Sequence, residues 1–129
     1  MTSEEAVKNN SVHSLKALLS VGAKIDKLYF EGDTYLHIAA AGGQNGVLEI
    51  LLEKGMDVNK KNHLQETSLF QAVKAGNVSG VRMLLEKEAD VTILPEGGQC
   101  VLEIVVESQN VELCNVFYES WNEFRNQRR

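Results

Sequence analysis

The fold class predicted for this chain is an all-α solenoid of short helix-turn-helix units joined by hairpin-like loops. Three observations predict it. The segment from Ala6 to Ile25 returns without a gap as Ala72 to Val91, 66 residues on, and half that offset brings in a further copy. The step of 33 links Leu18, Leu51 and Leu84, then Leu36, Leu69 and Leu102, then Thr34, Thr67 and Cys100, then Gly43, Gly76 and Gln109. The composition agrees: 43% of the 129 residues are hydrophobic, only 6% are aromatic and there is one Pro, so Leu, Val, Ile and Ala must fill the core.

The elements follow in order. The first unit has no loop before it and begins at a possible capping box of Thr2 and Glu5, with His13 opening its second helix. In the second unit an Ala-rich stretch, Leu36 to Ala41, meets the break Gly42-Gly43-Gln44-Asn45-Gly46. Val47, Leu48, Ile50, Leu51 and Leu52 follow at helical spacing. The third unit repeats this with Leu69 to Ala75, a Gly76-Asn77 break, and Val78, Val81, Leu84 and Leu85. The fourth has Leu102 to Glu107, and Trp121 stands where Gly55 ends the earlier helix. Its last helix is therefore expected to run on towards Arg125 and cover the open end of the core. Between pairs lie about a dozen turn-rich, partly extended residues such as Lys54 to Asn59. No single pair of helices this short is stable alone, so neighbours must stack into one core. The boundaries are a single domain over 1–124, with units at about 2–28, 29–61, 62–94 and 95–124, and a basic tail at 125–129.

The second unit carries Thr34-Tyr35-Leu36-His37-Ile38-Ala39, and with the period of 33 this resembles the ankyrin-repeat family, specifically its small stand-alone domains. The third unit keeps Thr67, Leu69, Ala72, Gly76, Asn77, Leu84, Leu85, Ala89 and Asp90, and the fourth is degraded. The family's Pro after Thr is replaced by Tyr35, Ser68 and Val101, so helix starts lose a pre-set φ and stability is expected to be modest. The resemblance implies that His37 is a structural hydrogen-bonding residue and that Asn59 matches a loop Asn open to hydroxylation in such proteins. It also implies a concave binding strip built from loop tips and the exposed side of the inner helices.

Catalysis finds no support. His13, His37 and His63 fall in different units, and Cys100 and Cys114 take core-like packing positions in register with Thr34 and Leu48. No Cys-x-x-Cys pair is present. The Gly42–Gly46 run lacks the Lys-Ser/Thr of a phosphate loop. The chain is expected to be no enzyme, with no cofactor and no metal. Thirteen Lys and Arg against eighteen Asp and Glu give a net charge of −5, which disfavours nucleic acid and anionic membrane. With an acidic, polar N-terminus and no long apolar run, a cytoplasmic location is expected, a nuclear one also being open.

Function is then expected on the strip. Positions that break the repeat pattern are Leu28, Tyr29, Phe30, Glu31 and Asp33 in the first loop, Asn62, His63, Leu64 and Glu66 in the second, and Glu96 and Gln99 in the third. The inner helices add Lys8, Ala41, Lys74, Glu107 and Ser108. Leu28-Tyr29-Phe30 is either a partner anchor or a cap over the shortened first unit. The acids oppose only Lys8 and Lys74, which suits a partner protein with a basic rim and an apolar centre. The expected role is an adaptor or stoichiometric inhibitor, monomeric when free. The alternative is a tethering fragment or accessory subunit of a larger enzyme or channel complex.

Overall fold

Short apolar-periodic stretches punctuated by left-handed turns can only pair and stack, and they do. The computed structural model describes residues 3–24, 32–93 and 98–127, with side chains described for 5–24, 32–93 and 98–120. The described residues form α1 (Ser3–Lys8), α2 (Val12–Ser20), α3 (Tyr35–Gly42), α4 (Asn45–Glu53), α5 (Ser68–Ala75), α6 (Val78–Glu86), α7 (Val101–Ser108) and α8 (Val111–Gln127), with no strand among them. Odd helices stack α1 on α3 on α5 on α7 as an inner layer, and even helices stack behind them as an outer layer. The turn inside a pair is two or three residues long, which makes its helices antiparallel.

That turn has one recurring backbone requirement. Asn10, Gly43, Gly76 and Gln109, each 33 residues apart, all adopt positive φ, at 52°, 72°, 71° and 56°. Gly enters this region freely and Asn tolerates it, whereas Gln109 carries the strain of a side chain there. The turns are also stitched between units. Asn77 Nδ2 donates to Asn45 Oδ1 at 2.8 Å and to Ala40 O at 3.1 Å, while Asn77 Oδ1 caps α6 by accepting from Gly80 N at 3.1 Å.

Without Pro, the inner helices begin on hydroxyl caps. Thr34 Oγ1 accepts from His37 N at 3.4 Å and Thr67 Oγ1 from Phe70 N at 3.3 Å. Cys100 has the same extended backbone at the start of α7 but makes no capping bond. Replacing Cys100 with Thr is therefore expected to stabilise the protein by about 0.5–1 kcal/mol, read as a raised midpoint in thermal unfolding. An unchanged midpoint would show that the cap is not what α7 lacks.

The loops, expected to be hairpin-like, contain no ladder among the described residues. They hold their shape through side chains. Asp57 Oδ1 accepts from Asn59 N at 2.9 Å, and Asp90 Oδ1 accepts from Thr92 N and Oγ1 at 2.8 and 2.6 Å. The Thr92 bonds hold the Asp90 carboxyl below its ordinary pKa, because they favour the charged form. Asn59 Oδ1 accepts from Asp90 N at 2.8 Å and ties one loop to the next.

The core is one continuous cluster from Ala6 to Phe117, with Leu15, Leu36, Leu48, Leu51, Leu69, Leu84 and Leu113 fully buried. Its last unit differs from expectation. The final helix does run on, to Gln127, yet it does not cover the end of the stack. Leu102 is 44% exposed, Val106 71% and Tyr118 66%. Cys114, in register with the fully buried Leu48 and Val81, is exposed too, which corrects its expected core position. The reason is geometric: these positions face forward along the stack, and no described helix lies in front of α7 and α8.

Candidate interaction surface

The second loop is the best-built part of the concave face, and Asn62 builds it. Asn62 is 4% exposed, although its sequence position placed it on the binding strip. Its Oδ1 accepts from Leu64 N at 2.9 Å and Glu66 N at 3.0 Å, its N–H donates to Glu66 O at 3.0 Å, and its Nδ2 donates to Asp33 Oδ1 at 2.8 Å. Asn62 is thus a structural residue that links two loops. The turn passes through Gln65 at φ 63°, and Leu64 is left 43% exposed at its tip.

His63 is exposed and lies over Gly32, where a Cβ would come within 2.5 Å of the His63 ring. Only a glycine at residue 32 permits this approach. Gly32 and the second loop consequently pack on each other.

Inner helices supply the charged groups. Glu66, with a side chain only 11% exposed, accepts from Gln71 Nε2 at 2.7 Å and lies 3.7 Å from Lys74 Nζ, itself 5.2 Å from the centre of the Phe70 ring. Glu66 is therefore opposed by Lys74, whose half-exposed side chain leaves the pair screened by water and of little weight in stability. In the last unit Gln99 Nε2 donates to exposed Glu107 Oε2 at 2.8 Å, Ser108 Oγ turns back onto Val105 O at 2.7 Å, and Glu103 is exposed. Among the described residues, the acidity of the strip is thus concentrated in the last unit rather than spread along it. Leu28, Tyr29, Phe30, Glu31 and Glu96 lie outside the described residues.

His37 has the structural place expected of it. The Thr34 N–H donates to Nδ1 at 3.1 Å, so Nδ1 must accept, and the proton sits on Nε2, which donates to Glu66 O at 2.8 Å. One imidazole thereby joins the start of α3 to the loop before α5. Burial lowers its pKa below 6.5, outweighing the opposing effects of the Glu66 carbonyl and the Asp33 and Glu66 charges.

Two clefts between outer helices hold about 60 Å³ beside Arg82 and Glu119, and about 160 Å³ beside Glu49 and Met83. Ligand pockets run from about 300 Å³ upward. Among the described residues no three His, Cys, Asp or Glu side chains are grouped to hold a metal ion, and no helix is long and apolar enough to cross a membrane.

Sequence reasoning ranked the strip by broken repeat pattern, and it missed Gln71, which shares Glu66 with Lys74. The exposed forward face of the last unit is a further feature that sequence reasoning missed. Comparison with known families supplies the remaining finding. A family model for ankyrin repeats matches residues 4–94 as three copies. The fourth helix pair lies beyond that match. No curated protein matches the chain.

Proposed function

The chain belongs to the ankyrin-repeat family, and from that premise we propose that it is a non-enzymatic adaptor or stoichiometric inhibitor that masks a surface of a partner protein. Ankyrin repeats are protein–protein interaction modules, so the surface available decides what is bound. One observation carries this reading: Leu64 is presented on a turn already fixed by four hydrogen bonds to Asn62. A turn whose backbone is held in place before binding has little further backbone entropy to lose when a partner covers it.

Around Leu64 stand His63, the Lys74–Glu66 pair and, further along, Gln99 with Glu107. This favours a partner with an apolar centre opposite Leu64 and basic groups opposite the acidic last unit. Long-range attraction of that sort speeds encounter more than it deepens affinity. Asp33 and Glu66 act mainly by holding the loops.

The test uses the exposed residues, because replacing Glu66 or Asn62 would also undo the loop. The intact chain is used to capture and identify its partner, and capture is repeated with His63, Leu64 and Lys74 all changed to Ala. The expected result is loss of that partner with the helical circular-dichroism signal unchanged. Undiminished capture by the folded triple variant places the partner elsewhere. Adding the purified chain to the partner's own assay then separates a masking role from tethering: only the former changes activity or assembly.

A further inference from the structure

The outer helices carry one cleft twice. Between α4 and α6 it is lined by Glu49, Leu52, Glu53, Met83, Glu86 and Lys87. Between α6 and α8 it is lined by Arg82, Leu85, Glu86, Val116, Glu119 and Ser120, each 33 residues after its counterpart. Both have an apolar floor, with Leu52 and Val116 buried and Met83 and Leu85 half-buried. The rims differ. In the α6–α8 cleft Arg82 Nη1 donates to Glu119 Oε2 at 3.2 Å, so an arginine bridges the two helices. In the α4–α6 cleft Glu49 holds the register of Arg82 and Glu86 that of Glu119, so two carboxylates stand where the next unit has an ion pair. The first two outer helices follow the rule of the last two, with Lys16 in the register of Arg82 and Glu53 in that of Glu119. The middle cleft alone sets acid against acid.

This leaves an open groove of negative charge. The α4–α6 cleft is the roomier, at about 160 Å³ against about 60 Å³ where Arg82 lies. Among the described residues, Glu49, Glu53 and Glu86 have no ion-pair partner, and exposed Lys87 opposes three charges with one. Like charges set against each other cost free energy, and a conflict of this kind is expected where function requires it. The three carboxylates are not grouped to hold a metal ion.

We infer that the α4–α6 cleft binds an arginine side chain projecting from a basic segment of a partner protein. The guanidinium takes the place relative to Glu86 that Arg82 takes relative to Glu119. Its other N–H groups reach Glu49 and Glu53, which lie one turn apart on α4. The aliphatic stem lies along Leu52 and Met83. Arginine suits the cleft better than lysine, because a planar fork of five donors serves several carboxylates and is more weakly hydrated than an ammonium. The cleft belongs to the outer layer, so it stays accessible while the concave strip is occupied, and the inference does not rest on what that strip binds.

The test follows backbone amide shifts of the full chain titrated to ~20 mM with the peptide acetyl-Ala-Leu-Arg-Leu-Ala-amide, a range suited to millimolar binding. The expected result is saturating shifts centred on residues 49–53 and 83–87. The lysine analogue binds more weakly, and the citrulline analogue, which keeps the shape without the charge, does not bind. Glu49→Arg installs the pairing of the neighbouring cleft and weakens peptide binding at least about tenfold with circular dichroism unchanged. Glu112→Arg, the same change of charge on an exposed residue of α8, binds the peptide as the original chain does. Four results would each overturn the inference: shifts centred elsewhere or not saturating, a lysine or citrulline analogue that binds as tightly, undiminished binding by the folded Glu49→Arg variant, or shifts of the same residues with concentration of the chain alone, which would assign the cleft to another copy.

Discussion

Leu69→Ala is expected to cost about 2–5 kcal/mol of folding stability, and Leu102→Ala, one register unit later, about 1 kcal/mol or less. The two leucines occupy the same position in their inner helices, two residues after the N-cap, although Thr67 caps α5 and Cys100 makes no capping bond to α7. They differ in whether a further unit covers them: Leu69 is fully buried between α5 and α7, and Leu102 is 44% exposed. Truncating the first removes buried methylenes and leaves a cavity that backbones on both sides cannot fill. Truncating the second leaves a dent open to water. Urea unfolding reads both costs directly. A domain of this size holds about 5–15 kcal/mol in total, so Leu69→Ala alone brings it close to the edge. Each kcal/mol corresponds to roughly 3–5 °C of midpoint at this length. Equal costs for the two variants would mean that stacking between units is not the source of the core's stability.

The second large effect falls on His37. Changing it to Ala removes the acceptor for the Thr34 N–H and the donor for the Glu66 carbonyl, and it empties a fully buried side-chain volume, for an expected loss of about 2–4 kcal/mol. The same residue sets a pH dependence whose sign follows from its lowered pKa. The unfolded chain takes up a proton at His37 near 6.5, while the folded chain resists it until lower pH, since burial disfavours the charged imidazolium. Between those two values the unfolded state holds more protons, so stability falls as the solution is acidified. The contribution is complete above about pH 6.5 and is lost on descent towards the folded pKa, with a slope of at most about 1.4 kcal/mol per pH unit. Denaturant midpoints measured from pH 7.5 to 5 should fall for the original chain and fall less steeply for His37→Ala. Identical pH slopes would remove His37 as the cause.

Much of this was open to reading in the chain because the repeat tests itself. When Leu36, Leu69 and Leu102 recur at one spacing beside Thr34, Thr67 and Cys100, each copy supports the helix assignment of the others. His37 was legible for the same reason: it stands in a fixed place relative to Thr34, and the bond between them spans only three residues. The candidate surface was less legible. Asn62 and Leu64 both break the pattern, yet Asn62 is drawn inward to hold four polar groups while Leu64 is left outside. Nothing in residue type alone separates those outcomes. Glu66 likewise reads as part of an acidic strip by residue type, whereas Lys74 and Gln71 lie beside it in the fold.

The sequence by itself determined the class of fold, the number of helix pairs, the residues that cap and turn them, and the alternation of inner and outer helices. These rest on local spacing, which a single chain prints in full. Only the tertiary structure decided which apolar registers are covered, because coverage depends on whether another unit lies in front. The pattern at Leu102, Val106 and Cys114 is the pattern at Leu69, Val73 and Val81, and one set is buried while the other faces solvent. It also decided which polar loop residues turn inward, since a hydrogen bond between residues about 30 positions apart, such as Asn62 to Asp33, exists only once two units have stacked.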